Sequence, residues 1–522
     1  MAGILDFDAE RLGTLVRAMG VRNAWLSIFA THVRSLGSFD DILASPEYAS
    51  AQFLDSNLLE GLSVGEISVL YEYSVALENP DARKDNGQFF TPDDVAIFMA
   101  SFAKEFSDGV WLDPCSGVGN LSWHLASTQV DPEDFVLNRL KVSDRDELAL
   151  LLARTLLAIS FQKENSSLFS AISANFFHLD FLSVADNGQS SLLDDDNRLN
   201  EIPKHDFVIV NPPYLGLKKK DLRFETSDAA DLYAYFLENI IKTSSGFISV
   251  TPQSFTNASK FRSLRRLLLN KYSNLTIFTF DNIPGNLFKG IKFGSTNSNT
   301  ANSIRAAVIV ARPGAGTPQI TSLFRWKTSE RLRTFSEVDK FLCAAPLTDA
   351  FFPKVSAVFL DLYEKCSNLE VLGHNLSRTP TDYPLYVPSA PRYFISALRV
   401  PVERTSIRTL YFNNAETRDR AYLLLNSSFM YWWWRVRDGG MTLSLETLSS
   451  LPFLSFEVRQ DLVELLVRSE KENKVFKMNA GSSQENVKHD LELVSKLNQL
   501  VIPEFASKLL KTHDNSEFVQ ID

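Results

Sequence analysis

Hydrophobic and polar positions follow three patterns along the chain. In the first part, apolar side chains recur at three- and four-residue steps, as in Ile67, Leu70 and Tyr71, which predicts amphipathic helices. A middle part alternates short apolar runs with helical segments, and a final part is irregular and rich in proline. These patterns predict a helical N-terminal region over residues 1–85, an α/β domain over 86–315, and a second domain with its own core and a helical tail over 316–522.

The middle part carries seven strand candidates separated by helical stretches. The strands are predicted at Val110–Asp113, Leu140–Asp144, Phe176–Phe181, Phe207–Val210, Phe247–Val250, Leu275–Phe280 and Ala306–Ala311. The helices are predicted at Asn120–Ala126, Glu147–Phe161, Leu232–Lys242 and Phe261–Asn270. Strands that alternate with helices in this way form a mostly parallel sheet with helices on both faces. The fold class is therefore predicted to be α/β, with a seven-stranded sheet.

Polar residues end four of the predicted strands. They are Asp113, Asp144, Asp180 and Asn211. Ligands of open α/β sheets bind outside the carboxyl ends of the strands. We therefore expect these four side chains to meet at one ligand site.

The bulk composition is that of an ordinary globular protein. The chain has 522 residues, of which 45% are hydrophobic and 22% charged, so two or three domains are expected. It has no apolar run of ~18 residues, and its N-terminus lacks the basic and apolar segments of a secretory signal. The three cysteines, Cys115, Cys343 and Cys366, have spacings that suit neither disulfides nor a zinc site. A protein of the reducing cytoplasm, without membrane or metal, is expected.

Charge is unevenly distributed. The formal net charge is −10, yet between Asn239 and Ser329 the only acidic residue is Asp281, among many lysines and arginines. A local basic surface can bind phosphates whatever the total charge, because salt screens each charge beyond roughly 8–10 Å. An ordinary solvated face that lacks acids would show the same pattern. Both interpretations stay open from the sequence.

The segment Asn211-Pro212-Pro213-Tyr214 directly follows the apolar strand candidate Phe207–Val210. Its two prolines restrict the backbone and remove two amide donors, which predicts a rigid turn at the strand end. The Asn211 side-chain oxygen and the Pro212 carbonyl are then two acceptors on one side. An exocyclic amine can donate a hydrogen bond to each, which localises the nitrogen lone pair for attack on a methyl group.

This turn resembles the signature of amino-methyltransferases, and the order of the landmarks is that of the gamma-type N6-adenine DNA methyltransferases. The resemblance implies a Rossmann-like methyltransferase domain over residues 86–315, with S-adenosylmethionine as cofactor, and a target-recognition domain over 316–522. It implies methylation of the N6 amine of a flipped-out adenine in double-stranded DNA. A restriction-modification system with a cognate restriction endonuclease is its expected setting. The catalytic residues implied are Asn211, Pro212, Pro213 and Tyr214.

The same resemblance implies where the cofactor binds. The segment Gln88-Phe89-Phe90-Thr91-Pro92 is similar to the first cofactor motif, in which Thr91 would hold the methionine carboxylate at a helix start. In the glycine-containing turn, Asp113 would pair with the cofactor amino group, where many family members have glutamate. The remaining members of the implied site are Pro114, Cys115, Gly117 and Gly119, with Asp144 for the ribose hydroxyls and Asp180 and Phe181 for the adenine ring. Asp146 is an alternative to Asp144, although it also suits the cap of the following helix.

The DNA side of the site is also implied by the resemblance. A flipped adenine would stack between Tyr214 and a second aromatic ring, for which Phe288 is the choice and Phe293 the rival. Phosphate contacts are expected from Lys218, Lys219, Lys220, Lys289 and Lys292. The cluster Tyr431-Trp432-Trp433-Trp434 is interpreted as core rather than as part of the DNA reader. No metal is required, because a sulfonium leaving group needs no Lewis acid.

Two alternatives keep the chemistry and change the substrate or the setting. The same turn can present a glutamine amide or an RNA base amine, although the long region after residue 316 favours DNA. The chain could also be a modification subunit that depends on a separate specificity partner.

Overall fold

The structure is a computed structural model that describes residues 2–78, 91–163, 167–183, 201–282, 285–288, 292–293, 296–297, 304–391, 394–404, 406–438, 442–479 and 482–513. Of the predicted site residues, Gln88, Phe89, Phe90 and Lys289 lie outside these ranges. The side chains of Lys292 and Phe293 lie outside the description as well. Among the described residues, no helix is long and apolar enough to cross a membrane.

The strands of the described chain are β1 (Trp111–Asp113), β2 (Leu140–Asp144), β3 (Phe176–His178), β4 (Phe207–Val210), β5 (Gly246–Pro252), β6 (Asn274–Phe280), β7 (Lys292–Phe293), β8 (Thr296–Asn297), β9 (Ala306–Arg312), β10 (Gln319–Thr321), β11 (Leu342–Cys343), β12 (Pro384–Pro388), β13 (Ile407–Tyr411), β14 (Lys474–Asn479) and β15 (Ser482–Val487). All seven predicted strands are present, although β3 ends three residues earlier than expected.

The helices of the described chain are α1 (Ala2–Leu36), α2 (Asp40–Leu43), α3 (Val64–Glu78), α4 (Asp93–Ser101), α5 (Asn120–Ser127), α6 (Pro132–Asn138), α7 (Glu147–Phe161), α8 (Leu168–Ala171), α9 (Leu232–Thr243), α10 (Arg262–Lys271), α11 (Arg331–Glu337), α12 (Leu360–Cys366), α13 (Ala415–Leu425), α14 (Ser428–Arg437), α15 (Leu445–Ser449), α16 (Gln460–Glu472), α17 (Leu491–Val501) and α18 (Ala506–Leu510). The four predicted helices of the middle part are α5, α7, α9 and α10.

The main sheet has the strand order β11-β10-β6-β9-β5-β4-β1-β2-β3. The strands from β5 to β3 pair in parallel, so the residues after β1, β2, β3 and β4 lie along one edge. Strand β9 runs antiparallel between β5 and β6. The fold is therefore α/β with a mostly parallel sheet, as predicted. The sheet has nine strands in the described chain because β10 and β11 extend it beyond the seven expected.

Those two additional strands lie after residue 315, so the sheet continues past the boundary that the sequence suggests. The hydrophobic core also continues. A single buried cluster runs from the strands of the main sheet to Tyr431, Trp434 and Leu509 in the C-terminal part. In the described residues the C-terminal part therefore shares this buried cluster with the sheet domain, into which α14 packs its aromatic face. The interpretation of the tryptophan cluster as core is confirmed, since all four rings are buried.

The N-terminal helices pack on the outer helix α7 of the sheet domain and share a second buried cluster with it. Trp25 of α1 donates its indole N–H to Ser74 of α3, at 2.7 Å. At the start of α3, one carboxylate oxygen of Asp93 accepts from the backbone N–H of Gly65 at 2.9 Å and contacts a ring nitrogen of His124 at 3.0 Å. These buried contacts join α3 to α4 and α5, which carry parts of the predicted site.

The basic stretch between residues 239 and 329 is largely neutralised inside the fold. Arg265 is fully buried and donates to backbone carbonyls, among them that of Phe255 at 2.7 Å. Other members pair with acids that lie elsewhere in the sequence, such as Arg312 with Glu105 at 2.6 Å. The interpretation as a local basic surface that binds phosphates is therefore wrong for these residues, because tertiary contacts bury them or bring in the missing acids.

Candidate active site

A cavity of about 350 Å³ opens at the edge of the sheet where the parallel strands end. Segments that follow β1, β2, β3 and β4 form its wall, and α3 closes one side. Of the residues predicted for the site, it is lined by Thr91, Pro114, Cys115, Gly117, Asp144, Asp180, Phe181, Asn211 and Pro213. The structure thus brings together in one cavity three of the four polar strand ends, while Asp113 is not among the lining residues.

The turn after β1 depends on two glycines in left-handed backbone conformation, with φ of +53° at Gly117 and +87° at Gly119. A Cβ at Gly119 would lie 2.9 Å from the Cβ of Ala153 on α7, so only glycine lets the turn pack this closely. The space beside Gly117 is open. Its backbone N–H donates to a carboxylate oxygen of Asp144 at 2.7 Å, which ties the ends of β1 and β2 together.

Asp144 is buried at the end of β2. Its second carboxylate oxygen accepts from the backbone N–H of Asp146 at 2.9 Å. Burial raises the pKa of Asp144, while these two backbone donors act in the opposite direction. Asp146 caps α7 by accepting from the backbone N–H groups of Leu148 and Ala149, as expected for the alternative acid. Both acids line the cavity, with Asp144 held by the backbone and Asp146 by the helix.

Asp113 is fully buried next to the cavity wall. Ser122 donates its hydroxyl to one carboxylate oxygen at 2.8 Å, whereas the other oxygen has no hydrogen-bond partner among the described residues. Burial raises the pKa of Asp113 to about 7. A buried carboxylate oxygen without a donor is suited to a cationic or N–H group that a bound ligand would bring.

The pKa of Asp113 predicts how stability changes with pH. A carboxyl group whose pKa is raised on folding holds its proton where the unfolded chain has lost it, so the free energy of unfolding falls as pH rises from 3.8 to about 7. We expect the Tm of the cofactor-free wild type to fall over this range relative to that of Asp113→Asn, which is neutral at every pH. The comparison isolates Asp113, because other groups such as His489, whose burial lowers its pKa to about 4, act in the opposite direction in both proteins. Thermal unfolding of both proteins at several pH values measures this, and equal pH dependence would contradict it.

The Asn211 turn lies directly after β4, and three hydrogen bonds orient it. The Asn211 Nδ2 donates to Thr91 Oγ1 at 2.9 Å, and Asn211 Oδ1 accepts from the Tyr214 hydroxyl at 2.6 Å. The Cys115 thiol donates to the Asn211 backbone carbonyl at 3.2 Å. Burial raises the pKa of Cys115 well above its ordinary value, so this thiol is a neutral hydrogen-bond donor rather than a nucleophile.

Thr91 therefore has two contacts with the site. It accepts from Asn211 through its hydroxyl and from the Asn120 side chain through its backbone carbonyl, the latter at 2.7 Å. A hydroxyl that accepts one hydrogen bond keeps its own proton for donation. Thr91 can thus fix the amide of Asn211 and donate to an anionic group in the cavity at the same time. The sequence indicated only the second of these roles.

Tyr214 and Phe288 are close together, as the predicted base-stacking pair requires, but they contact each other. Their ring centres are 5.9 Å apart and the planes are inclined by 66°. Phe288 is fully buried, and the Tyr214 hydroxyl also lies 2.8 Å from the Val250 carbonyl. A base between two parallel rings needs a gap of about 7 Å, twice the ~3.5 Å contact distance. Stacking between these two rings therefore requires one of them to move.

The end of β3 contributes Asp180 and Phe181 to the cavity. Asp180 is exposed and accepts from the backbone N–H of Leu182 at 3.0 Å. Phe181 is buried and stacks on Phe236 of α9, with ring centres 5.3 Å apart. An apolar ring beside an acceptor suits a purine that carries an amino group.

Helix α3 contributes residues to the cavity that the sequence did not indicate. Ser68, Tyr71, Glu72 and Val75 line the cavity, and the Tyr71 hydroxyl donates to Asp146 at 2.7 Å. The helical spacing of these residues predicted a helix but not what the helix covers.

The predicted phosphate contacts Lys218, Lys219 and Lys220 are exposed and lie just beyond the Asn211 turn. Lys220 pairs with Asp228 at 2.7 Å.

These residues fit S-adenosylmethionine. The cavity volume is within the range of small-molecule sites, roughly 300–1,000 Å³. The Thr91 hydroxyl can donate to a carboxylate, and the carboxylate of Asp144 lines the cavity. The buried oxygen of Asp113 lacks a donor among the described residues. Among the described residues, no group of histidine, cysteine and acidic side chains is arranged to hold a metal ion.

Two solved structures resemble the backbone loosely. The DrdV–DNA complex is 14% identical over 75% of this chain and 47% of that chain, with a TM-score of 0.45. The type IIG restriction endonuclease BpuSI is 12% identical over 99% of this chain and 79% of that chain, with a TM-score of 0.41. Resemblance at this level says nothing about activity.

Sequence similarity is more specific. The Type II methyltransferase M.BsuBI of Bacillus subtilis is 29% identical over 206 residues, which cover 37% of this chain and 38% of the relative. The match thus spans well under two thirds of that protein. The model of the Eco57I restriction-modification methylase family matches residues 138–284, which include β4 and the Asn211 turn. Over residues 138–284 the chain is therefore similar to the restriction-modification methylase family.

Proposed function

We propose that the protein is a site-specific DNA methyltransferase that uses S-adenosylmethionine to methylate the N6 amine of adenine. The observation that carries the proposal is the orientation of Asn211 at the end of β4. Its amide is fixed between Thr91 and Tyr214 at the wall of a cavity that suits the cofactor. The family match covers this turn. Double-stranded DNA is the proposed partner, and a cognate restriction endonuclease would cut unmodified sites.

The side chains around Asn211 can prepare an amine for methylation. Because Nδ2 donates to Thr91, Oδ1 is held as an acceptor toward an incoming amine. In the structure the Tyr214 hydroxyl donates to Asn211 Oδ1. Because a hydroxyl has one proton, Tyr214 can release Oδ1 and donate to the Val250 carbonyl at 2.8 Å instead. An adenine amine that replaces Tyr214 on Oδ1 would then be polarised by Asn211. S-adenosylmethionine supplies the methyl group when it is bound.

Transfer of labelled methyl from S-adenosylmethionine to unmethylated genomic DNA tests the proposal, with RNA and protein extract as competing acceptors. We expect label in DNA, recovered as N6-methyladenine, and sequencing of the modified positions would give the recognition sequence. Label in RNA or protein alone would refute DNA as substrate while retaining the chemistry. Transfer to DNA that appears only after addition of a second subunit would favour the partner-dependent alternative.

Thr91 gives a further test of the orientation of Asn211. Thr91→Val keeps the shape and removes the hydroxyl, so the Asn211 amide can rotate. We expect kcat to fall about tenfold, equivalent to ~1.4 kcal/mol, close to the upper end for one neutral hydrogen bond. Thr91→Ser retains the hydroxyl and is the matched control, with kcat near that of the wild type. A rise in KM for the cofactor with unchanged kcat would show that Thr91 only binds the cofactor.

A further inference from the structure

After the Asn211 turn, the chain forms an exposed loop, here called the cap, whose two ends are held together by backbone hydrogen bonds in a short stretch, here called the neck. Leu215 and Leu232 both line the cavity, and the backbone N–H of Leu232 donates to the Leu215 carbonyl at 3.0 Å. The next pair closes the neck, since the N–H of Leu217 donates to the Ala230 carbonyl at 2.7 Å. Residues 218–229 form the cap, which therefore begins at the mouth of the cavity, a few residues beyond Tyr214.

The inner side of the cap is anchored firmly on α9. The ring of Phe224 stacks on Tyr235 with centres 4.5 Å apart and planes inclined by 5°. Glu238, buried on α9, accepts from the backbone N–H of Glu225 at 3.0 Å and from that of Thr226 at 2.8 Å. A segment with an aromatic stack and a buried carboxylate beneath it holds its outer side chains in a defined position.

The outer side of the cap presents one large apolar side chain among charges. Leu222 is 84% exposed, and the two residues that flank it, Asp221 and Arg223, form an ion pair with each other at 2.6 Å. The backbone N–H of Asp221 also donates to the Tyr235 hydroxyl of α9 at 3.2 Å. Lys218 and Lys219 are exposed and form no ion pair with any residue that the structure describes. No residue that the structure describes covers the apolar surface of Leu222, and the lysines beside it suit a phosphate backbone.

We propose that Leu222 is a wedge that enters the DNA duplex at the target site and fills the space left by the flipped adenine. The inference rests on the proposed function, because only a substrate base that leaves the stack creates such a space. Proteins that unstack DNA commonly insert apolar side chains such as leucine between bases. The rigid cap would press Leu222 into the duplex, with Lys218 and Lys219 on the flanking phosphates and Asn211 on the extruded base.

The test compares Leu222→Ala with the wild type on two oligonucleotide duplexes that carry the sequence methylated in genomic DNA. One duplex is fully paired, and in the other the target adenine faces an abasic position, so that extrusion requires little unpairing. On the paired duplex we expect the methylation rate of Leu222→Ala to fall about tenfold, because the variant cannot hold the opened stack. On the abasic duplex we expect the two proteins to differ by less than about twofold.

Two further variants sharpen the comparison. Leu222→Met keeps the apolar volume and should retain the wild-type rate. Val130→Ala removes an even more exposed apolar side chain from the turn after α5, at the opposite edge of the sheet, and should have no effect.

Equal rates for Leu222→Ala and the wild type on the paired duplex would overturn the wedge. So would an equal loss on both duplexes, since that points to a contact unrelated to base extrusion. Failure of the wild type to methylate either duplex would instead refute the proposed function, and the wedge with it.

Discussion

Replacement of Asn211 by alanine is expected to reduce kcat for methyl transfer by a factor of about 10²–10³, the loss usual for one preorganised hydrogen-bonding group at a reacting centre. The structure explains why no neighbour can replace it. The Tyr214 hydroxyl and the Thr91 hydroxyl both contact the Asn211 amide, and neither can present a carbonyl oxygen to an amine. Single-turnover transfer to DNA of the identified sequence measures the effect.

The loss should be confined to the chemical step. Asn211 is only partly buried and its side chain lies at the cavity wall, so its truncation leaves the apolar strand β4 intact. We expect cofactor affinity by calorimetry and Tm to stay close to the wild-type values. Asn211→Asp is a useful intermediate, because it keeps an acceptor oxygen and loses the donor to Thr91, and its rate should fall between the two. Wild-type kcat in Asn211→Ala would refute the assigned role.

The central sheet could be predicted because its strands are short and buried on both faces. Runs such as Phe207–Val210 are continuously apolar, and their buried pattern in the structure agrees with this. The polar residues that follow were predicted to share one edge, and Asp144, Asp180 and Asn211 do line one cavity. Strands β10 and β11 were missed because they are short, with three and two residues, and lie after residue 315, where the sequence pattern is irregular.

Long-range contacts account for what the sequence could not show. The periodicity of α3 predicts a helix, but only the folded chain reveals that Tyr71 donates to Asp146 in the lining of the cavity. The basic stretch was interpreted without knowledge of the acids that neutralise it. Arg262 pairs with Asp349, 87 positions later, at 3.0 Å. Local charge counts therefore say little about surface potential until tertiary partners are known.

The second large effect is expected on stability. Asp281, the one acid of that stretch, is buried at the end of β6 among three arginines. Its oxygens lie 2.6 Å from Arg435, 2.8 Å from Arg305 and 3.8 Å from Arg325. Arg435 belongs to α14, so this carboxylate joins the sheet to the C-terminal helices. Asp281→Ala would leave buried guanidinium groups without their counter-charge, and we expect the free energy of unfolding to fall by about 3–5 kcal/mol.

Urea unfolding followed by tryptophan fluorescence measures this difference. Asp349→Ala is the matched control, because its partner Arg262 is largely exposed and an exposed ion pair contributes little to stability. Burial alone would raise the pKa of Asp281, but the charges of Arg435, Arg305 and Arg325 outweigh it and the pKa is lowered. The carboxylate therefore stabilises the fold at neutral pH, and this contribution is lost as pH falls through its lowered pKa. The difference in free energy of unfolding between the wild type and Asp281→Ala should accordingly be smaller in acid. A small difference at neutral pH would show that the arginines are held by their other partners.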